Sequence, residues 1–390
     1  MSAVLACLRQ YFTRALVLFT FLALSACVPT GSGQGPSVNT NRPVAVALLI
    51  PHESARASDG NLARALENAA RLAMADLDGV NIDLRVYATG GQPEIAAAAA
   101  TRAVNDGAKI ILGPVFAPAA NAAGVAVANR NVNILSFSNN TSIAGGNVFT
   151  LGTSYNNTAS RLAQYAVSQG RNKIMVVHGD SANETRGRDA IVSAVQAAGG
   201  NVTASASFEL SQNGVIQAAP TISRAARNNG SNAIFFTSGG AGALGLTTQM
   251  LLDNGVTPQE LQFIGLRRMD RPATMLTQPG VQGGWFATPD ARSIQTFNSR
   301  YAAAYGSAPH PIAGVAYDGM AAIGALLKTG RNDALTVSSL TQSSGFAGVG
   351  GVFRLRPDGS TQRALAVSSI RDGVVTEISP APRNFGGAGF

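Results

Sequence analysis

Few side chains in this 390-residue sequence could make or break a covalent bond, and those few lie far apart. The three histidines, His52, His178 and His310, occupy separate segments. None falls in an HExxH pattern or beside a cysteine, so the common zinc arrangements are excluded by spacing. No Gly-x-Ser-x-Gly elbow occurs. His178 and Asp180 follow an apolar run and could close a strand, but no nucleophile is placed to work with them. Gly239-Gly-Ala-Gly242 lacks the Gly-Lys-Ser/Thr that completes a phosphate-binding loop, and reads as the entry to a helix. Nothing points to the paired carboxylates of glycoside chemistry. The residues therefore imply a protein that holds something rather than transforms it: no enzyme, no catalytic residue, no metal, no cofactor.

The two cysteines, Cys7 and Cys27, lie near the start, so no disulfide framework spans the body. Residues 1–14 carry Arg9 and Arg14 and no acid, and an apolar run of nine residues, 15–23, follows. That run is shorter than the ~20 residues needed to cross a bilayer, and a positive segment before a short apolar one is a secretory signal. It ends in Leu24-Ser25-Ala26-Cys27, which resembles a bacterial lipobox. The resemblance implies a signal peptide over residues 1–27, acylation of Cys27, and a lipid-anchored periplasmic protein. Val28 stands where lipoproteins kept at the inner membrane often carry Asp, which implies the inner leaflet of the outer membrane. Residues 28–42, rich in Gly, Ser, Pro and Asn, read as a flexible tether.

Behind that leader the sequence alternates between two periods. Val44-Ala-Val-Ala-Leu-Leu-Ile50 has the continuous apolar character of a strand buried on both faces. Leu62, Leu66, Ala69, Ala70, Ala73 and Leu77 recur at helical spacing. Strands are expected over 82–87, 109–112 and 132–137, with helices over 93–106 and 118–129 between them. The rhythm restarts after Thr150, with helices over 154–169, 185–198, 216–228 and 241–253 and strands over 173–177, 202–208, 233–237 and 261–265. Two more helices, 290–305 and 312–328, precede strand-like segments at 351–355 and 363–370. Pro357-Asp358-Gly359 supplies the turn between those last two. The alternation argues an α/β fold of two lobes, each a doubly wound parallel sheet.

Charge excludes one class of partner. The formal net charge of +8 falls to +6 once Arg9 and Arg14 are removed, and the remaining basic residues are scattered without interleaved aromatics. No nucleic-acid surface follows from that pattern.

The ordered set Gly113-Pro-Val-Phe116, Ile134-Leu-Ser-Phe-Ser138, Lys173-Ile-Met-Val-Val-His-Gly-Asp180, Phe297-Asn-Ser-Arg-Tyr-Ala-Ala-Ala-Tyr-Gly306 and Val315-Ala-Tyr-Asp318 resembles the type I periplasmic binding fold of the leucine-binding proteins. The resemblance implies lobe one over 43–152 and 287–345, lobe two over 153–286 and 346–380, and ligand binding in the cleft between them. Three stretches, 111–117, 134–139 and 351–360, are similar to a branch of lipoprotein penicillin-binding protein activators. On that likeness the first expectation is an activator supporting peptidoglycan synthesis through contact with a penicillin-binding protein. The alternative is the substrate-binding lipoprotein of an ABC importer for branched-chain amino acids or related amides.

Ligands in such folds sit at the carboxyl ends of strands, near helix N-termini. The cleft candidates are Phe116, Ala117, Ser138, Asn139, Asn140, Asp180, Glu184, Gly239 and Arg267. Each has a plainer reading: Phe116 as packing, Asn139 and Asn140 as turn formers, Arg267, Arg268 and Arg271 as a solvated loop. Trp285, the single tryptophan, is expected to pack between the lobes.

Overall fold

The apolar runs become the buried strands. In the computed structural model, which describes residues 35–385, the first half runs β1 (Val44–Ile50), α1 (Ala57–Ala75), β2 (Ile82–Ala88), α2 (Pro93–Asn105), β3 (Ile110–Leu112), α3 (Ala117–Val127), β4 (Asn133–Ser136) and β5 (Val148–Thr150). Then come α4 (Tyr155–Ser168), β6 (Lys173–Gly179), α5 (Ala182–Ala197), β7 (Asn201–Phe208), α6 (Gln212–Asn228), β8 (Ala233–Phe236), α7 (Leu244–Asp253), β9 (Gln262–Gly265) and β10 (Trp285–Thr288). The chain closes with α8 (Ala291–Tyr305), α9 (Gly314–Leu327), α10 (Val337–Leu340), β11 (Phe346–Gly348), β12 (Gly351–Leu355), β13 (Thr361–Arg363), β14 (Ala366–Arg371) and β15 (Val374–Ser379).

Two sheets organise two lobes. The first has the order β2-β1-β3-β4-β5 and is parallel throughout. Helices α1, α8 and α9 cover one face, where Leu48, Leu66, Phe297 and Met320 share a core. The alanine-lined faces of α2 and α3 cover the other, against Ala47, Leu49 and Ile111. The second sheet has the order β15-β14-β10-β9-β8-β6-β7. Helices α6 and α7 pack on one side of it, and α4 and α5 on the other. Both lobes are thus three-layer α/β units, as the alternation of periods requires.

Three expectations change. The second sheet is not wholly parallel, because β14 and β15 join it antiparallel. Asp372 at φ 50° and Gly373 at φ 75° make the tight turn between them, with the two positive φ values of a type I′ hairpin. Residues 346–355 do not pack in lobe two: Phe346, Phe353 and Leu355 are buried in the core of lobe one with β1 and α9, so the passage to lobe two falls after β13. The alternating apolar side chains of this small β11-β12-β13 sheet need a core to face, and that of lobe one is the one beneath them. Finally, the tether expected over 28–42 is docked from residue 35 onward. Val38 is buried and its N–H donates to the Asn332 carbonyl at 2.9 Å, while Gly35 exchanges two hydrogen bonds with the Asn131 side chain. Residues 1–34, including Cys27, lie outside the described residues.

The chain crosses between lobes three times: from β5 to α4, from β10 to α8, and from β13 to β14. One buried ion pair ties the first and third crossings to α9. Arg363 contacts Asp318 of α9 at 2.6 Å and donates from Nε and Nη2 to the Leu151 carbonyl at 3.0 and 2.8 Å. The other oxygen of Asp318 accepts the Val349 N–H at 2.7 Å. Burial pushes the Asp318 carboxyl upward, and Arg363 and the Val349 N–H pull against that. Gly359, at φ 78°, lets the β12–β13 turn lie on β5: an added Cβ would stand 2.4 Å from the Val148 carbonyl oxygen. There the Thr150 N–H donates to the Gly359 carbonyl at 2.9 Å.

Candidate ligand cleft

The carboxyl ends of both sheets converge on the first crossing. Gly152 reaches lobe one, its N–H donating to the Ser138 carbonyl just past β4 at 3.0 Å. Three residues later Tyr155 reaches lobe two, meeting Asn183 past β6 and Arg267 past β9. A crevice outside the carboxyl ends of parallel strands is where open α/β sheets receive ligands.

In lobe two the expected residues Glu184, Gly239 and Arg267 come together. Ser181 caps α5, accepting the Glu184 N–H at 3.3 Å, and so starts the helix earlier than residue 185. That places Glu184 in the first turn, buried, with its side chain turned back under β8. There the Thr237 and Ser238 hydroxyls both donate to Oε2, the latter at 2.8 Å. Arg267 Nη2 lies 3.6 Å from Glu184 Oε1 and donates to the Tyr155 hydroxyl oxygen at 2.5 Å. The Tyr155 hydroxyl in turn donates to Asn183 Oδ1 at 3.3 Å. The guanidinium stands over the Tyr155 ring, 5.4 Å from its centroid. Gly239 leaves room for the Arg267 stem, since an added Cβ would sit 3.1 Å from its Cδ. Among the described residues the Arg267 Nε–H is buried without a hydrogen-bond partner. An orphaned buried donor of this kind costs free energy until something accepts from it.

Asp180 does not join this cluster. It is exposed, and its Oδ1 accepts the Leu210 N–H at 3.3 Å, which orders the loop after β7. Arg268 leaves the cleft to pair with Asp270 and to cover the Phe286 ring. Trp285 packs edge-on against Tyr165 of α4 at 4.9 Å, inside lobe two rather than between the lobes.

In lobe one the candidates are largely engaged with their neighbours. Phe116 ends the loop before α3, with Ala117 the first helical residue. The Phe116 ring faces Gly91 and lies under the Arg56 guanidinium, 4.9 Å away. Arg56 is also held by Asp59, at 3.0 Å, and Asp59 accepts the Ser54 hydroxyl at 2.7 Å. Ser138 is buried and its hydroxyl oxygen accepts the Asn140 N–H; Asn140 Oδ1 accepts the Ser142 N–H. These are turn contacts. Asn139 is exposed. Sequence reasoning did not single out Tyr155, Thr237, Ser238 or Arg56. Thr237-Ser238 directly after the apolar Ala233–Phe236 run was a legible strand-end signal, whereas Tyr155 reaches the cluster only through tertiary structure.

Among the described residues, no three of His, Cys, Asp and Glu gather as a metal ion would require. No described helix is long and apolar enough to cross a membrane.

Two α/β lobes, three crossings and polar side chains gathered at strand ends beside the crossing define a class: two-lobed ligand-binding proteins. The chain belongs to the periplasmic binding protein family, whose pattern its residues 43–374 match. Among solved structures it is similar to a putative branched-chain amino acid ABC transporter protein from Rhodospirillum rubrum, with 19% identity, TM-score 0.73, and 86% of this chain and 100% of that one covered. A solute-binding protein of an ABC transporter from Rhodopseudomonas palustris, in complex with 3,4-dihydroxybenzoic acid, shares 19% identity at TM-score 0.58, covering 88% of this chain and 97% of that one. A branched-chain amino acid substrate-binding protein from Streptococcus pneumoniae, in complex with isoleucine, shares 16% identity at TM-score 0.57, covering 87% and 100%. No curated protein is matched by this sequence.

Proposed function

We propose that the protein is a non-catalytic solute receptor of the cell envelope, the substrate-binding component of an ABC importer, and that its ligand carries a carboxylate. One observation carries the reading: Arg267 stands at the strand ends with a buried, unpartnered Nε–H, beside the Tyr155 hydroxyl. A planar guanidinium with a free donor suits a carboxylate, which accepts two parallel N–H bonds. Glu184, itself engaged by Thr237 and Ser238, holds Arg267 in place. The ligands of two similar proteins, isoleucine and 3,4-dihydroxybenzoic acid, are both carboxylic acids.

This reverses the order of the two sequence-based expectations. The stretches that suggested a penicillin-binding protein activator have fold roles here: residues 111–117 build β3 and the entry to α3, 134–139 build β4 and its turn, and 351–360 build the β12 hairpin. They serve a transport receptor equally well, and the similar solved structures are of transport proteins. Acylation at Cys27 would tether the receptor to a membrane that faces the periplasm.

The test is the melting temperature of the mature chain with a panel of branched-chain amino acids and aromatic carboxylates, each beside its amide. A bound ligand stabilises by RT ln(1 + [L]/Kd). At least one acid should raise the transition while its amide does not. A panel with no effect, or amides as effective as acids, would overturn the reading.

A further inference from the structure

We propose a second ligand site, at the hinge and separate from the cleft, that takes a small oxyanion such as phosphate or a carboxylate. A cavity of about 290 Å³ lies between α4, α5 and the β12–β13 turn. Two of its walls belong to lobe two and the third to the hairpin that packs with lobe one. Its lining is polar and basic: Arg161, Arg356 and Arg363, with Asn157, Ser193 and one carboxylate, Asp358.

The charges there do not balance. Arg363 is neutralised by Asp318. Arg161 is 8% exposed, yet its bonds go only to neutral acceptors: Nε to the Leu365 carbonyl at 2.7 Å, and Nη2 to the Ser379 hydroxyl at 2.7 Å and the Pro380 carbonyl at 3.2 Å. Among the described residues no carboxylate lies within ion-pair distance of Arg161 or of the exposed Arg356. Asp358 turns its carboxylate to the Ser360 N–H and hydroxyl, at 2.9 and 2.6 Å. Burying a cation without a counter-charge is costly, and burial pulls the Arg161 guanidinium below the ordinary arginine range. An anion in the adjoining cavity supplies the missing charge. Hydroxyl and amide donors around it can satisfy the remaining oxygens.

Isothermal titration of the mature chain with inorganic phosphate, and separately with succinate, tests the site and shows which oxyanion it prefers. Saturable binding of either is expected. Arg356→Ala, a change at an exposed residue, should weaken it by about tenfold, the equivalent of one lost charge-assisted contact. Asp358→Asn should tighten it several-fold by removing the one acid that lines the cavity and draws on Arg356, and Arg161→Gln should abolish it. Arg267→Ala in the cleft should leave it unchanged, which separates this site from the solute site. No saturable binding of either anion, equal affinity in the Arg356 and Asp358 variants, or loss of binding in Arg267→Ala would overturn the proposal. Should Arg161→Gln fail to fold, the Arg356 and Asp358 variants still decide the matter.

Discussion

The cleft edges of the two lobes are built from the same elements and finished differently. In lobe one, Ser54, Arg56 and Asp59 bond to one another and Arg56 covers Phe116, so the polar groups past β1 and β3 are spent on the protein. In lobe two, Glu184 is fully engaged, but its engagement positions Arg267, whose Nε–H is left with no acceptor. One edge is closed by its own bonds, while the other stores an unmet one. On the proposed reading the same fold does not distribute binding chemistry evenly: the self-satisfied edge would serve as a wall, and the unsatisfied edge would supply recognition.

The largest expected effect falls where the two lobes meet. Asp318→Ala leaves Arg363 buried and unpaired and should cost about 3–5 kcal/mol in chemical denaturation; a loss below about 1 kcal/mol would show that the pair is not what fixes the end of β13 against α9. Next comes the contrast between the edges. Arg267→Ala should weaken a carboxylate ligand about 10–100-fold, the worth of a hydrogen bond to a charged group. The unliganded protein should also lose some stability, since buried Glu184 loses its cation, so affinity is to be read below the transition of the variant. Arg56→Ala, by contrast, should change ligand affinity by less than about threefold, within the range of a spent surface pair. Equal losses in the two variants, read by calorimetry, would erase the distinction between wall and recognition edge.

The smallest effect concerns lobe one alone. Arg300 hydrogen-bonds Asp76 and holds its carboxyl below the usual carboxylate range, with Tyr317 adding a bond of 2.6 Å. A depressed folded pKa gives stability that is complete above the unfolded value of about 3.9 and lost as pH falls through the folded one. Both side chains are partly exposed, so solvent screening limits Asp76→Asn to about 0.5–1 kcal/mol near neutrality. Acid titration of stability should show the variant and the parent converging at low pH.

Most of the fold was legible because its signals are local. Val44–Ile50 reads as a buried strand from seven consecutive apolar residues, and Pro93 and Ser154 mark helix starts by their own chemistry. The β14–β15 hairpin was not read, although Asp372-Gly373 carries its turn signal; Val374–Ser379 is largely exposed at the sheet edge. The lobe assignment of 346–355 was not legible, since Phe346 and Phe353 declare only that they need a core, not which one. In the cleft, Glu184, Gly239 and Arg267 could be named from their places after strands. Tyr155 could not, because its contact with Arg267 spans 112 positions and exists only once the first crossing is made. The same holds for Arg161, whose partners Leu365 and Ser379 come from the far end of the chain.

The central claim is that two lobes hinge about a crevice and hold a small acid there. Small-angle scattering of the mature chain, without and with a saturating carboxylate from the melting screen, tests it most directly. The account predicts a smaller radius of gyration in the liganded protein, and no change for Arg267→Ala under the same conditions. An unchanged radius at proven saturation, or contraction that persists in the variant, would contradict it.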